Sequence, residues 1–141
     1  MTLRVGPTDD IALCQSLRRI VFIQGQNVPE AEEVDGKDPE AAHIIAYDGD
    51  TPIGTARVLP YGTTAKIGRV CVLAPHRGKG VGAALITACE GAARRMGATR
   101  AILGSQTHAI GFYEMLGYHA YGDVFDDAGI PHRMMETSLC L

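Results

Sequence analysis

The strongest constraint on this chain is a change of period across one glycine-rich turn. Before the turn, Ile67, Val70 and Val72 fit an extended strand from Lys66 to Val72. After it, Val81, Ala84, Leu85, Ala88, Cys89, Ala92 and Met96 recur on one helical face, and Gly97 stands where a left-handed cap closes a helix. The link reads Arg77-Gly78-Lys79-Gly80-Val81-Gly82-Ala83, and a short apolar run, Ala101 to Leu103, follows the helix. Strand, helix and strand in that order predict a parallel, right-handed crossover from Ile67 to Leu103.

The flanking segments fill in a single domain. Leu3 to Val5 reads as a strand that Gly6-Pro7-Thr8-Asp9 breaks, and a helix then carries Ile11, Cys14, Leu17, Ile20 and Val21 on one face to about Phe22. Residues 25–40 are acidic and loop-like, with a helical turn around Pro29 to Glu33. Ala42 to Tyr47 and Pro52 to Leu59 are strands joined by the turn Asp48-Gly49-Asp50, and Pro60-Tyr61-Gly62 turns into Lys66 to Val72. A second helix spans about His108 to Leu116 and is closed by Gly117. Tyr118 to Phe125 and Arg133 to Leu139 form a last hairpin around Asp127-Ala128-Gly129. This order predicts an α/β (α+β) fold: one mixed sheet with helices on both faces, in one domain over residues 1–141.

Composition narrows the function classes. An apolar fraction of 46% suits a packed core, and a net charge of −3 gives no bulk attraction to nucleic acid or an anionic membrane. No stretch approaches the roughly 20 apolar residues of a membrane helix. The start, Met1 to Pro7, lacks the pattern of a signal peptide, so a cytoplasmic location is expected. Cys14, Cys71, Cys89 and Cys140 sit among apolar neighbours and read as buried reduced thiols. The five histidines show no ligand spacing, so no metal is expected.

The turn itself is built for an anion. The first backbone N–H groups of a helix have no intrahelical partner, and the helix dipole favours negative charge beside them. Gly78, Gly80 and Gly82 remove side chains from the approach, while Arg77 and Lys79 add charged donors. A nucleotide P-loop needs Ser or Thr after Gly-Lys, and here Gly80 follows Lys79. A dinucleotide site expects an acidic residue after the next strand, and Ile102-Leu103-Gly104 holds none.

These residues resemble the acyl-CoA motif Q/R-x-x-G-x-G/A of the GNAT superfamily, here Arg77-Gly78-Lys79-Gly80-Val81-Gly82. Phe112-Tyr113-Glu114-Met115-Leu116-Gly117-Tyr118 is similar to the family's F-Y-x-x-x-G-[FY] block. Arg19-Ile20-Val21-Phe22, Asp35-Gly36-Lys37-Asp38, Gly54-Thr55-Ala56-Arg57 and Gly129-Ile130-Pro131-His132 resemble the ElaA-like branch. The resemblance implies a GNAT-like, mostly antiparallel twisted sheet of six to seven strands. It implies acetyl-CoA as cosubstrate, with the pantetheine arm on Val70, Cys71 and Val72 and the pyrophosphate on Arg77, Gly78, Lys79, Gly80, Val81, Gly82 and Ala83.

The implied activity is transfer of an acetyl group from acetyl-CoA to a primary amine, small molecule or protein, by direct attack in a ternary complex. A homodimer is compatible with the resemblance. Tyr113 matches the family's tyrosine acid, and its alternative is a core aromatic beside Phe112. An ammonium with a reference pKa near about 10.4 must lose a proton before it attacks. Glu32, Glu33, Asp35, His43 and His132 are the candidate bases. The ElaA-like branch carries glutamate where this chain has Gly25, so that carboxylate's role does not transfer. The competing reading is a module that binds acetyl-CoA without turnover.

Overall fold

The computed structural model describes residues 1–140. The strands are β1 (Leu3–Thr8), β2 (Ala42–Asp48), β3 (Thr51–Tyr61), β4 (Thr64–Val72), β5 (Arg100–Gln106), β6 (His119–Asp127) and β7 (Ile130–Ser138). The helices are α1 (Ile11–Arg18), α2 (Glu30–Glu33), α3 (Val81–Arg95) and α4 (Ile110–Met115), and α1 continues into a wider π-type turn over Arg19–Gln24. All seven strands form one sheet in the order β1-β2-β3-β4-β5-β7-β6. Every neighbouring pair is antiparallel except β4 and β5. The expected mixed, mostly antiparallel sheet is therefore present.

Side-chain alternation along the strands builds a core on each face. On β2, Ile44 and Ala46 join one cluster and Ile45 joins the other. The larger cluster takes Val81, Leu85, Ile86, Cys89, Ala92 and Ala93 from α3. Full burial of each large apolar side chain contributes about 1.5–3 kcal/mol, which holds α3 against the sheet. The smaller cluster packs Leu17 and Val21 against Ile45 and Cys71. Gly54 makes the layers fit closely, because a Cβ there would lie 2.8 Å from the Cys71 carbonyl oxygen and 3.3 Å from Leu85 Cδ1. Gly97 (φ +87°) ends α3 as expected: Ala98 N–H reaches Ala93 O and Gly97 N–H reaches Arg94 O, each at 3.0 Å.

Three expectations are corrected. The first strand runs through Gly6 and Pro7 to Thr8, since β1 is an edge strand with a side on which proline leaves no ladder bond unmade. The final hairpin is longer and turns at Ala128-Gly129, both with positive φ. Cys140 is exposed, whereas Cys14, Cys71 and Cys89 are buried.

Candidate active site

The site exists because one pair of strands comes apart. β4 and β5 pair only from Thr64–Lys66 to Arg100–Ile102. Beyond Lys66, a bulge against β3, between Thr55 and Arg57, bends β4. Arg69 sits in this bulge with φ +53°, a conformation that costs an arginine roughly 1–2 kcal/mol. The two strands leave a cleft of about 560 Å³ whose walls include Val70, Val72, Leu103, Gly104, Phe112 and Tyr113.

The free edge of β4 supplies polar groups to this cleft. Leu73 N–H bonds to Ile53 O of β3 at 2.8 Å, so strand alternation turns the polar groups of Val72 the other way, toward the gap. Arg77 Nε donates to Val72 O at 2.9 Å, on that side. Val72 N–H is thereby left facing the cleft. Cys71 also borders the cleft, but its backbone pairs with Thr55 of β3 and its side chain is buried beside Leu17 and Val21. Burial pushes the Cys71 thiol up to about 12, which keeps it from acting as a thiolate.

The glycine turn starts at the rim of the same cleft, where Arg77 is part of the wall, and leads into α3. Gly78 (φ +75°) and Gly80 (φ +82°) are left-handed, and a Cβ on either would meet nothing within 4 Å. Ala84 N–H makes the first intrahelical bond, to Gly80 O at 3.1 Å, and no side chain caps the helix. The N–H groups of residues 80–83 are thus unspent donors at the positive end of a 15-residue helix. That open, donor-rich surface fits a diphosphate. Arg77 and Lys79 are exposed beside it, and Val81 is buried as the helix's anchor. Phe112 packs on Gly82, where a Cβ would lie 3.3 Å from the ring.

Tyr113 lines the cleft from α4, edge-on to Phe112 and Tyr118 at 5.0 and 6.0 Å. Burial raises its hydroxyl to about 12, so it carries its proton at neutral pH. Opposite, His132 lines the cleft from β7, paired with Gln106 of β5 and stacked on Phe125 at 5.9 Å. Its Nδ1 is 2.7 Å from Ile130 O, so Nδ1 carries the proton and Nε2 is the basic nitrogen of the neutral ring. Gln106 Nε2 donates to Gln26 Oε1 at 3.0 Å, tying the segment after α1 to β5.

The other candidate bases separate sharply. Glu33 is buried on Arg18 Nε, and Asp38 accepts from Arg18 Nη1 and Nη2 at 2.9 Å each and from Arg57 Nη1 at 3.1 Å. Asp35 accepts from both terminal nitrogens of Arg57, and Arg69 Nη2 lies 3.3 Å away. The Arg57 hydrogen bonds hold the Asp35 carboxyl far below the usual range. Burial raises that of Asp38, but the bonds from Arg18 and Gln15 outweigh it and hold it low. These carboxylates are structural: they pin the acidic segment to the sheet. His43 lies outside the cleft walls, with Nε2 2.9 Å from Asp38 O. Of the five candidates, Glu32, Glu33 and His132 border the cleft, and Glu33 is already committed to arginine.

Gly25 has φ −89°, which any residue adopts, although a Cβ there would lie a tight 3.3 Å from the Ile20 carbonyl oxygen. Gln26, Phe125 and Asp127 fall in the segments around residues 23–40 and 123–133 where the sequence leads one to expect the acceptor walls, but neither they nor the Gln26–Gln106 bond could be singled out from it. The only further signal was Asp127's place in the hairpin turn. Among the described residues no group of His, Cys, Asp and Glu is arranged to hold a metal, and no helix is long and apolar enough to cross a membrane.

Comparison with known proteins places this architecture. Residues 20–139 match the acetyltransferase (GNAT) domain family. The uncharacterized N-acetyltransferase YjcF of Bacillus subtilis is 43% identical over 120 residues, covering 84% of this chain and 86% of YjcF. The crystal structure of Escherichia coli ElaA superposes with a TM-score of 0.81 at 26% identity, over 95% of this chain and 97% of ElaA. An aminoglycoside 6'-N-acetyltransferase complexed with coenzyme A shares the fold, with a TM-score of 0.79 at 20% identity over 98% of each chain. The chain belongs to the GNAT acetyltransferase domain family.

Proposed function

We propose that the protein transfers an acetyl group from acetyl-CoA to a primary amine. The observation that carries this reading is a pair of unspent donor sets beside one cleft: the N–H of Val72 in its wall, and those of residues 80–83 at a helix start tied to that wall by Arg77 and Phe112. The coenzyme A complex of the aminoglycoside acetyltransferase of the same fold supports it. In this reading acetyl-CoA supplies the activated acyl group, residues 77–83 hold its diphosphate, and β4 beside Val70 and Val72 carries the pantetheine arm.

Each protein group then has one task. His132 Nε2 takes a proton from the acceptor ammonium, freeing a lone pair for attack on the thioester carbon. Val72 N–H donates to the carbonyl oxygen as negative charge grows there. Tyr113 protonates the sulfur as the C–S bond breaks, and the proton leaving the new amide nitrogen restores the phenol. Acetyl amide, free thiol and one released proton balance the reaction.

The test is acetyl-CoA turnover with a panel of primary amines, read as free thiol and as acetylated amine. Amine-dependent thiol release supports transfer. Coenzyme A binding without any amine-dependent release supports a binding module instead, a reading that Gly25 in place of glutamate keeps in play.

A further inference from the structure

A second chamber of about 240 Å³ opens off the cleft, and its charges are arranged unusually. The junction between the two is shared by Glu32, Lys66, Gly68, Arg69 and Asp127. A Cβ on Gly68 would meet nothing within 4 Å, so the passage over β4 is open. Lys66 and Lys37 line this chamber, and neither is ion-paired among the described residues. Arg57 also lines it; the residue is 4% exposed, and its Nε–H is buried without an acceptor. The Nε–H of Arg69 makes no hydrogen bond either, but it lies 3.6 Å from the Glu33 carboxylate. Lys37 and Lys66 are therefore the chamber's uncommitted cations, since Asp35 and Asp38 hold the outer nitrogens of Arg57, and Arg69 is held by Glu33, Asp35 and the Glu32 carbonyl. Glu32 and Asp127 face the same junction without ion-pair partners among the described residues.

Opposite charges that share a small chamber without touching are complementary to a dipolar guest. A guest carrying one charge of each sign satisfies both sets, and a plain amine leaves the cations unanswered. We propose that the side chamber seats an anionic group of the acceptor, which makes the acceptor an amino-carboxylate. Its carboxylate sits on Lys66 and Lys37, in the field of the buried Arg57 beneath, and its amine extends past Glu32 into the main cleft toward His132. The volume holds about eight waters at roughly 30 Å³ each, enough for a carboxylate and a short carbon chain. This inference rests on the transferase reading for the position of the amine, while the chamber's preference for a carboxylate can be measured without turnover.

The experiment is calorimetric titration into coenzyme A-saturated protein, using 4-aminobutyrate against butylamine and lysine against cadaverine. The carboxylated member of each pair should bind at least tenfold more tightly. Lys66→Gln should remove most of that advantage, and Lys66→Glu should reverse it. Equal affinity within the pairs, no binding of either member, or an advantage that survives Lys66→Gln overturns the proposal. Parallel runs with acetyl-CoA separate the two claims: carboxylate preference without acetylated product upholds the chamber and sinks the transferase reading.

Discussion

Arg77 donates its Nε–H to the main-chain oxygen of Val72 at 2.9 Å, joining the first residue of the glycine turn to the last residue of β4. The bond crosses the short 3₁₀ turn Ala74–His76. It occupies the Val72 carbonyl and leaves the Val72 N–H as that residue's unspent polar group. It also fixes where α3 begins relative to the open edge of β4. One side chain thus registers the anion-binding helix end against the strand that would hold a thioester.

Tyr113→Phe should lower kcat by about 100-fold or more, within the range of general acid catalysis, with little change in acetyl-CoA affinity. Because burial holds the hydroxyl at about 12, the wild-type acid stays protonated through mildly alkaline pH. Steady-state kinetics checks the split, and a fully active Phe variant removes Tyr113 from the acid role.

His132→Ala should reduce kcat/KM about 100-fold at neutral pH. The deficit should shrink as pH approaches about 10.4, where a lysine-like amine is half deprotonated unaided. A pH–rate comparison of the two proteins reads this directly, and a constant ratio across pH assigns the base elsewhere.

Asp38→Asn should destabilise the fold by about 1–3 kcal/mol, because it removes the carboxylate shared by the buried guanidiniums of Arg18 and Arg57 and leaves Arg18 with Glu33 alone. Acid should act through the same cluster. Asp35 and Asp38 have carboxyls depressed below their unfolded values, so their stabilisation is present above about pH 4 and is lost as pH falls below it. Urea midpoints from pH 7 to 2.5 should fall less steeply for Arg57→Met than for wild type, and parallel curves would show that the cluster contributes no linkage.

A maleimide should label Cys140 alone in the native protein, since the other three thiols are buried and those of Cys71 and Cys89 are pushed up to about 12. Mass spectrometry counts the adducts. Rapid labelling of Cys71 would reopen an acyl-enzyme route through that thiol.

Local signals carried far in this chain. Glycines at 80, 97 and 117 adopt positive φ where the periodicity breaks, so the boundaries of α3 and the end of α4 were legible before any coordinates. Pro7 misled because proline reads as a strand breaker unless the strand is known to be an edge. Arg69 gave no warning of its left-handed backbone, since nothing in an arginine's identity marks a bulge. The ion-pair cluster was hidden for another reason: Arg18, the acidic segment with Glu33 and Asp38, and Arg57 lie apart in sequence and meet only through tertiary packing. His132 is a candidate base from the sequence, but the β5–β7 register that brings it to the cleft is a long-range pairing that no local pattern reveals.

The central claim is that the amides at the start of α3 and at Val72 receive acetyl-CoA. The most direct test is an amide-resolved NMR titration of the wild-type protein with coenzyme A. The account predicts saturable shifts concentrated on the N–H groups of residues 80–83 and Val72, together with at least tenfold weaker binding in Gly80→Asp than in Gly80→Ala, which carries the same left-handed strain. Saturation that leaves those amides unmoved, or no binding at millimolar coenzyme A, contradicts it.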